Sequence, residues 1–205
     1  MLNAIKRVLT LSFLLFASQL MAEQKTTAPD KPASEAVQPV DVVIKTSKGD
    51  MTIRLNPEKA PVTVENFLTY VDKGFYEGLV FHRVMPGFMI QGGGMTADMS
   101  QKPTDAPITN ESGNDLRNSR GTIAMARTSN PDSATSQFFI NLVNNDFLNN
   151  RPGRPGYAVF GEVIKGDEVM DSIASVETGN RGPHANVPVD PVTILAVERV
   201  KTAPN

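Results

Sequence analysis

The stretch Phe81-His-Arg-Val-Met-Pro-Gly-Phe-Met-Ile-Gln-Gly-Gly93 sets one arginine and one glutamine among large apolar side chains, on either side of a Pro86-Gly87 bend signal. Read as strand, bend and strand, it puts alternate residues of each arm on opposite faces, so that Arg83, Met89 and Gln91 can converge. A guanidinium keeps its charge at any physiological pH and presents a rigid fork of donors. Placing Arg83 beside Phe88 and Met89 is therefore costly unless something satisfies it, and Gln91 is the candidate partner.

Upstream, Met51, Ile53 and Leu55 share one face and Thr52 and Arg54 the other, behind the turn residues Ser47-Lys-Gly-Asp50 and the apolar run 41–46. This is the pattern of a hairpin about a glycine turn. Pro61 then opens a segment in which Val64, Phe67, Leu68 and Val71 recur at helical spacing, with Glu65 in its first turn and Gly74 past its end. A helix is predicted over 62–73. Downstream, β-rich runs at 79–84, 88–91, 122–127, 137–142, 157–164 and 192–200 alternate with Gly, Asn and Pro clusters. Residues 166–174 read as a second helix, with Asp167 as N-cap and Val169, Met170 and Ile173 as its apolar face. Eight strands and two helices without regular alternation predict a mainly β domain, a closed eight-stranded antiparallel β-barrel capped by two α-helices. The polar stretch 92–120 has little strand signal, and a loop of that length in a compact domain is usually functional.

A chain of 205 residues has room for one ordinary domain. Lys6-Arg7, the apolar run 8–20 and Met21-Ala22 read as a secretory signal over residues 1–22, cleaved near Ala22. An uncleaved anchor is the alternative, although the apolar run is short for a membrane span. Residues 23–39 are rich in Pro, Ala, Thr and charge and read as a disordered linker, leaving 40–202 as the folded domain. There is no cysteine, so disulfides, thiol chemistry and lipid attachment at a mature N-terminal Cys are excluded, and burial alone must hold the domain together. The net charge of −2, with no block of Lys or Arg beyond the signal, argues against a nucleic-acid partner. After cleavage no stable membrane association is expected.

Further along, Gly121-Thr-Ile-Ala-Met-Ala-Arg-Thr128, Ser136-Gln-Phe-Phe-Ile-Asn141, Phe147-Leu148 and Gly156-Tyr-Ala-Val-Phe-Gly161 accompany the opening motif in order. Together these resemble the cyclophilin family of peptidyl-prolyl cis-trans isomerases, from Val40 to about Val200. The export signal and the run Leu116-Arg-Asn-Ser-Arg-Gly121 look most like its bacterial periplasmic members, which implies a periplasmic location. The resemblance implies a catalytic Arg83 oriented by Gln91, and a proline pocket of Phe88, Met89, Phe139 and Leu148. It implies that Ala126, Arg127 and Thr128 border the groove and pair with the substrate backbone, and that Gln137 makes a second polar contact. Two positions depart from the commonest eukaryotic pattern: Phe147 stands where a tryptophan is usual and Tyr157 where a histidine is usual. Without the indole donor, only weak cyclosporin binding is expected. The implied partners are proline-containing unfolded or partly folded polypeptides, met by a monomer with no cofactor.

The chemistry suits an arginine acting alone. Rotation about an X-Pro bond must break amide resonance, a barrier of about 18–20 kcal/mol, and lowering it needs no nucleophile, metal or cofactor. In the twisted state the prolyl nitrogen regains a lone pair, and a donor aimed at it stabilises that state above either planar one. Other readings are weaker. In alternation Phe138 and Phe139 face opposite sides, so only one lines a groove, and Phe138 is assigned to the core. His82 should point away from Arg83 as a hydrogen-bonded structural residue, and His184 falls in a Gly-Pro-rich surface loop. Two histidines so placed, without cysteine, make no metal site. Gly92-Gly93-Gly94 lacks the Lys-Ser/Thr of a phosphate loop and suits a bulge or sharp turn. Two alternatives remain: a module that holds proline segments as a chaperone without turnover, and a lipocalin-like barrel, which would need an open interior.

Overall fold

Burial alternates along β1 (Val40–Thr46) and β2 (Gly49–Leu55), which pair in full register from Val40↔Leu55 to Thr46↔Gly49. They begin the described part of a computed structural model, residues 38–200; the expected signal and nearly all of the expected linker lie outside the described residues, as does the end of the domain at 201–202. After α1 (Pro61–Asp72) come β3 (Leu79–Val80), β4 (Arg83–Met85), β5 (Met89–Gly92), β6 (Met95–Thr96), β7 (Thr122–Met125) and β8 (Phe138–Asn141). A 3-10 turn (Asp146–Leu148), β9 (Val159–Lys165), α2 (Asp167–Ala174), β10 (Thr178–Arg181), β11 (His184–Pro188) and β12 (Ile194–Arg199) complete the domain.

Eight strands form one curled antiparallel sheet in the order β12-β1-β2-β9-β7-β8-β5-β4. These are the eight strands predicted from the sequence, with ends shifted by up to three residues and one strand divided. The predicted strand 79–84 divides at Phe81-His82 because the backbone changes partners there. Val80 bridges Thr193 and the Phe81 amide donates to the Val192 carbonyl (2.9 Å), whereas Arg83 pairs with Gln91. The barrel thus closes between β12 and β4 through a bridge at β3 instead of a full ladder.

Phe67 of α1 drives into this curl, its ring 5.8 Å from Phe138 and 5.3 Å from Phe160, in an interior cluster that also holds Ile44, Ile53, Ile90, Ile123 and Ile140. Bulky side chains fill the interior. The first turn of α1 is capped from far along the chain: Ala60 offers no side-chain acceptor, and the Glu111 carboxylate accepts from Val62 N (3.1 Å), Thr63 N (2.8 Å) and Thr63 Oγ1 (2.7 Å). Glu65 lies beyond that first turn. In α2 the predicted cap shifts by one residue, with Gly166 at N-cap in a left-handed conformation and Asp167 and Glu168 in the first turn, where carboxylates complement the helix dipole. The hairpin β10–β11 was not expected, and it takes in His184, half-buried there and not on a loop. Much of the stretch 92–120 braces the fold: Lys102 Nζ donates to the Phe75 carbonyl (2.6 Å) and Asn114 Nδ2 to that of Val159 (2.9 Å).

A second, smaller apolar cluster lies on the other face of the central strands. Met89, Ala124, Phe139, Leu148 and Val159 are buried in it, with Phe88, Ala126 and Tyr157 packed against them. Alternation divides the neighbours, sending Phe138 to the interior and Phe139 to the outer cluster. Among the described residues, no helix is long and apolar enough to cross a membrane.

Candidate active site

Strand register alone sets out the floor of the site. Arg83 faces Gln91 across β4–β5, Gln91 faces Phe139 across β5–β8, and Phe139 faces Ala124 across β8–β7. Because Val84 and Ile90 point inward, this row lies on the outside of the barrel wall. Met85-Pro86-Gly87-Phe88 turns the β4–β5 hairpin, the Phe88 amide donating to the Met85 carbonyl (3.0 Å) and Gly87 taking φ +72°. Proline second and glycine third are what a type II turn requires.

A cleft of about 200 Å³ opens over this row, walled by Arg83, Gln91, Phe88, Met89, Phe139 and Leu148. Ala126, Arg127 and Tyr157 form its far side. Thr128 and Gln137 line an adjoining depression of about 280 Å³ that shares Gln91, Ala126 and Arg127 with the cleft. Phe147 lines a third, of about 320 Å³, that shares Arg127, Leu148 and Tyr157. All twelve residues singled out from the sequence therefore lie along one groove. Phe147 is half exposed and stacks on Phe88 at 5.6 Å, while the 3-10 turn that carries it buries Leu148 beneath.

The polar contacts differ from expectation at one point. Gln91 Nε2 donates to Gln137 Oε1 (3.0 Å), not toward Arg83, and the half-buried Arg83 side chain has no hydrogen-bond or ion-pair partner among the described residues. Gly94 explains the choice: a Cβ there would sit 2.3 Å from Gln137 Cγ, so its absence is what lets Gln137 approach Gln91. Arg127 is fixed more firmly. It donates to the carbonyls of Pro155 (2.8 Å) and Gly156 (3.1 Å) and lies 4.4 Å over the Tyr157 ring, which meets Phe139 edge-on at 5.6 Å. The Ala126 amide donates to the Gln137 carbonyl (2.9 Å), while the Ala126 carbonyl and the Arg127 amide have no partner among the described residues.

Behind the groove runs a set of buried asparagines that the sequence reading did not single out. Asn145 Nδ2 donates to Asn141 Oδ1 (2.8 Å) and to the Phe88 carbonyl (3.0 Å), and Asn141 Nδ2 to Thr122 Oγ1 (2.9 Å) and Asn118 Oδ1 (3.2 Å). Asn118 reaches the Tyr157 carbonyl (3.3 Å). The chain of amides ties one wall of the cleft to the other, although in sequence Asn141 reads as the end of a strand and Asn118 and Asn145 carry no periodic signal. His82 is buried as expected of a structural residue, but its Nδ1 has no hydrogen-bond partner among the described residues, and burial pushes its pKa down to about 4. Among the described residues no group of three or more His, Asp or Glu is arranged to hold a metal.

An eight-stranded antiparallel curl with a helix in its mouth and an apolar, arginine-bearing groove on its outer wall is the architecture of one enzyme class. Residues 41–199 match the family model described as cyclophilin type peptidyl-prolyl cis-trans isomerase/CLD, and the chain belongs to that family. Its relatives make it a peptidyl-prolyl cis-trans isomerase of bacterial type. It is 54% identical over 170 residues to peptidyl-prolyl cis-trans isomerase A of Dickeya dadantii, covering 83% of this chain and 90% of that one. With peptidyl-prolyl cis-trans isomerase B of Escherichia coli it shares 52% identity over 160 residues, 76% of this chain and 97% of the relative. The solved structure of a Cryptosporidium parvum cyclophilin type isomerase in the presence of the dipeptide Ala-Pro superposes with a TM-score of 0.67 at 26% identity, over 79% of this chain and 99% of that one.

Proposed function

We propose that the groove isomerises X-Pro bonds in exported proteins, with Arg83 stabilising the twisted prolyl amide. The observation that carries this reading is that Arg83 stands half-buried at the wall of an apolar cleft with no guanidinium donor committed among the described residues. A cation left without a partner beside Phe88 and Met89 is tolerated when a ligand is to satisfy it. Phe88, Met89, Phe139 and Leu148 grip the proline ring and exclude water, which strengthens the guanidinium's field. The unpaired Ala126 carbonyl and Arg127 amide offer the substrate backbone one acceptor and one donor, as an exposed strand edge does. Gln91, oriented by Gln137, keeps its Oε1 free of described partners and can accept from Arg83 when substrate enters. The Ala-Pro dipeptide named with the Cryptosporidium structure agrees with a ligand of this kind.

The enzyme works as a monomer in the periplasm, released by cleavage near Ala22, on unfolded or partly folded chains whose proline steps are slow. Cyclosporin binds weakly because Phe147 offers no indole donor. Arginine's role is tested by following the isomerisation of a short proline peptide by wild type, Arg83→Ala and Arg83→Lys. Arg83→Ala should lower kcat/KM by about 100-fold or more with peptide binding largely kept, and Lys should rescue poorly because it lacks the planar fork. Equal rates for all three would sink the mechanism. Fractionation of cells with an antibody to the folded domain tests the location, and recovery of the uncleaved chain in membranes would count against it.

A further inference from the structure

The groove of this acidic protein is lined by cations, and none of them has a carboxylate partner among the described residues. No carboxylate lines any of its three depressions, which carry Arg83, Arg127 and Arg154. Of the other guanidiniums, Arg54, Arg117, Arg120 and Arg199 each hold an aspartate at 2.7–2.9 Å, while Arg151 and Arg181 donate to backbone carbonyls. The contrast is sharpest at a depression of about 350 Å³ beside β2 and β9, where all three lining arginines are already paired and Glu162 adds a further acid. In the groove, Arg127 bonds only to neutral carbonyls, and the exposed Arg154 side chain has no partner among the described residues. Of the nearby acids, Asp146 is paired with Arg117 (2.8 Å), and Asp132, next to Pro131 of the third depression, accepts from the Asn110 amide (2.8 Å) and keeps its charge without lining the groove.

Arg154 is held in place by the backbone. Arg151 and Arg154 exchange amide and carbonyl bonds of 2.9 and 3.1 Å around Pro152-Gly153, a tight turn followed at once by Pro155, whose carbonyl accepts from Arg127. Arg127, just past β7, is thereby bonded to the loop that carries Arg154, and the two cations lie at the end of the groove marked by Phe147. We propose that Arg127 and Arg154 select proline segments bearing an acidic side chain at the position that reaches this end. The inference rests on the groove being the isomerase site, and it assigns the site a specificity determinant that acts on residues beyond the proline ring. Charges so placed act mainly on encounter and register.

The test uses the mature enzyme and short Ala-Pro peptides carrying Glu, Gln or Lys at single positions up to about three residues on either side of proline, a reach set by the extended chain. At low salt, kcat/KM should favour Glu over Lys by about three- to tenfold at positions on one side only, with Gln between them. Arg154→Glu, which sets a carboxylate beside the remaining Arg127, should bring that ratio down toward one and Arg154→Lys should keep it, the ratio being read within each variant. Raising NaCl from about 0.05 to about 0.5 M should shrink it toward one. A ratio within about twofold at every position, or one unmoved by Arg154→Glu, overturns charge selection and leaves the isomerase reading standing. Failure of wild type to turn over even the Gln peptides overturns both.

Discussion

His82 shows what the change of strand partner costs at a single residue. The backbone must leave Val192 at Phe81 and reach Gln91 at Arg83, and the side chain between them goes inward, 6% exposed and with Nδ1 unsatisfied. Burial, reinforced by the nearby cations of Arg83 and of His184 when it is protonated, disfavours the imidazolium and pushes the pKa down to about 4. The folded state therefore takes up a proton only near pH 4, whereas the unfolded chain takes one near 6.5. Between those values the unfolded state binds more protons, so stability falls as the pH is lowered through this window, by about 3 kcal/mol in all. The carboxylates respond elsewhere. Asp72 and Asp146, held below the usual range by hydrogen bonds from Arg199 and Arg117, lose their contribution only under more acid conditions. Urea unfolding between about pH 7 and about pH 4 should show this decline in wild type and a much flatter profile in His82→Gln. Parallel profiles would assign the pH dependence to other groups.

Between elements, the groove depends on contacts that join distant segments. Asn145 follows β8 and fixes the Phe88 carbonyl, so it ties the loop after β8 to the β4–β5 turn. Replacing it by Ala leaves Asn141 Oδ1 and the Phe88 carbonyl without their buried donor, a loss of about 1–3 kcal/mol by denaturant unfolding. Because Phe88 is thereby loosened, KM for a proline peptide should rise more than kcat falls; a pure loss of stability with unchanged KM would separate the asparagines from the groove. This scale is also where sequence stops being informative. β1 and β2 are legible because one face of each is buried and alternation records it, whereas β5, β7 and β8, buried on both faces, are legible only as short β-rich runs between Gly, Asn and Pro clusters. The outward set Arg83, Met89 and Gln91 follows from strand alternation alone. The hairpin β10–β11 is not legible, since Thr178–Arg181 is largely exposed and carries no alternation. Glu111 as the cap of α1 and Gln137 as the partner of Gln91 act across 48 and 46 residues, and no local pattern encodes such pairings. Phe147 and Tyr157 follow from family resemblance alone, because a single aromatic on a loop or at a strand's start has no periodic signature.

Across the whole molecule, the central strands serve two cores at once. β5, β7 and β8 send Ile90, Ile123 and Phe138 into the barrel and Met89, Ala124 and Phe139 into the groove cluster, so neither layer can open while the other stays intact. With no disulfide to hold the domain, this sharing makes the groove as rigid as the barrel wall. It also means that the groove's apolar floor and its cation should separate cleanly by experiment. Phe139→Ala removes a ring that is 4% exposed and packed edge-on against Tyr157, and it should lower stability by about 3–5 kcal/mol. Unfolding should remain one transition, superimposable by far-UV circular dichroism and by the fluorescence of the three tyrosines, which no tryptophan masks. Arg83→Ala, whose side chain holds no described partner, should leave the midpoint nearly unmoved, within about 0.5 kcal/mol, while activity collapses. Two separated transitions in Phe139→Ala would mean that the groove wall folds as a layer of its own. The cleft would then owe its shape to substrate, and Arg83 could not be preorganised for the twisted amide.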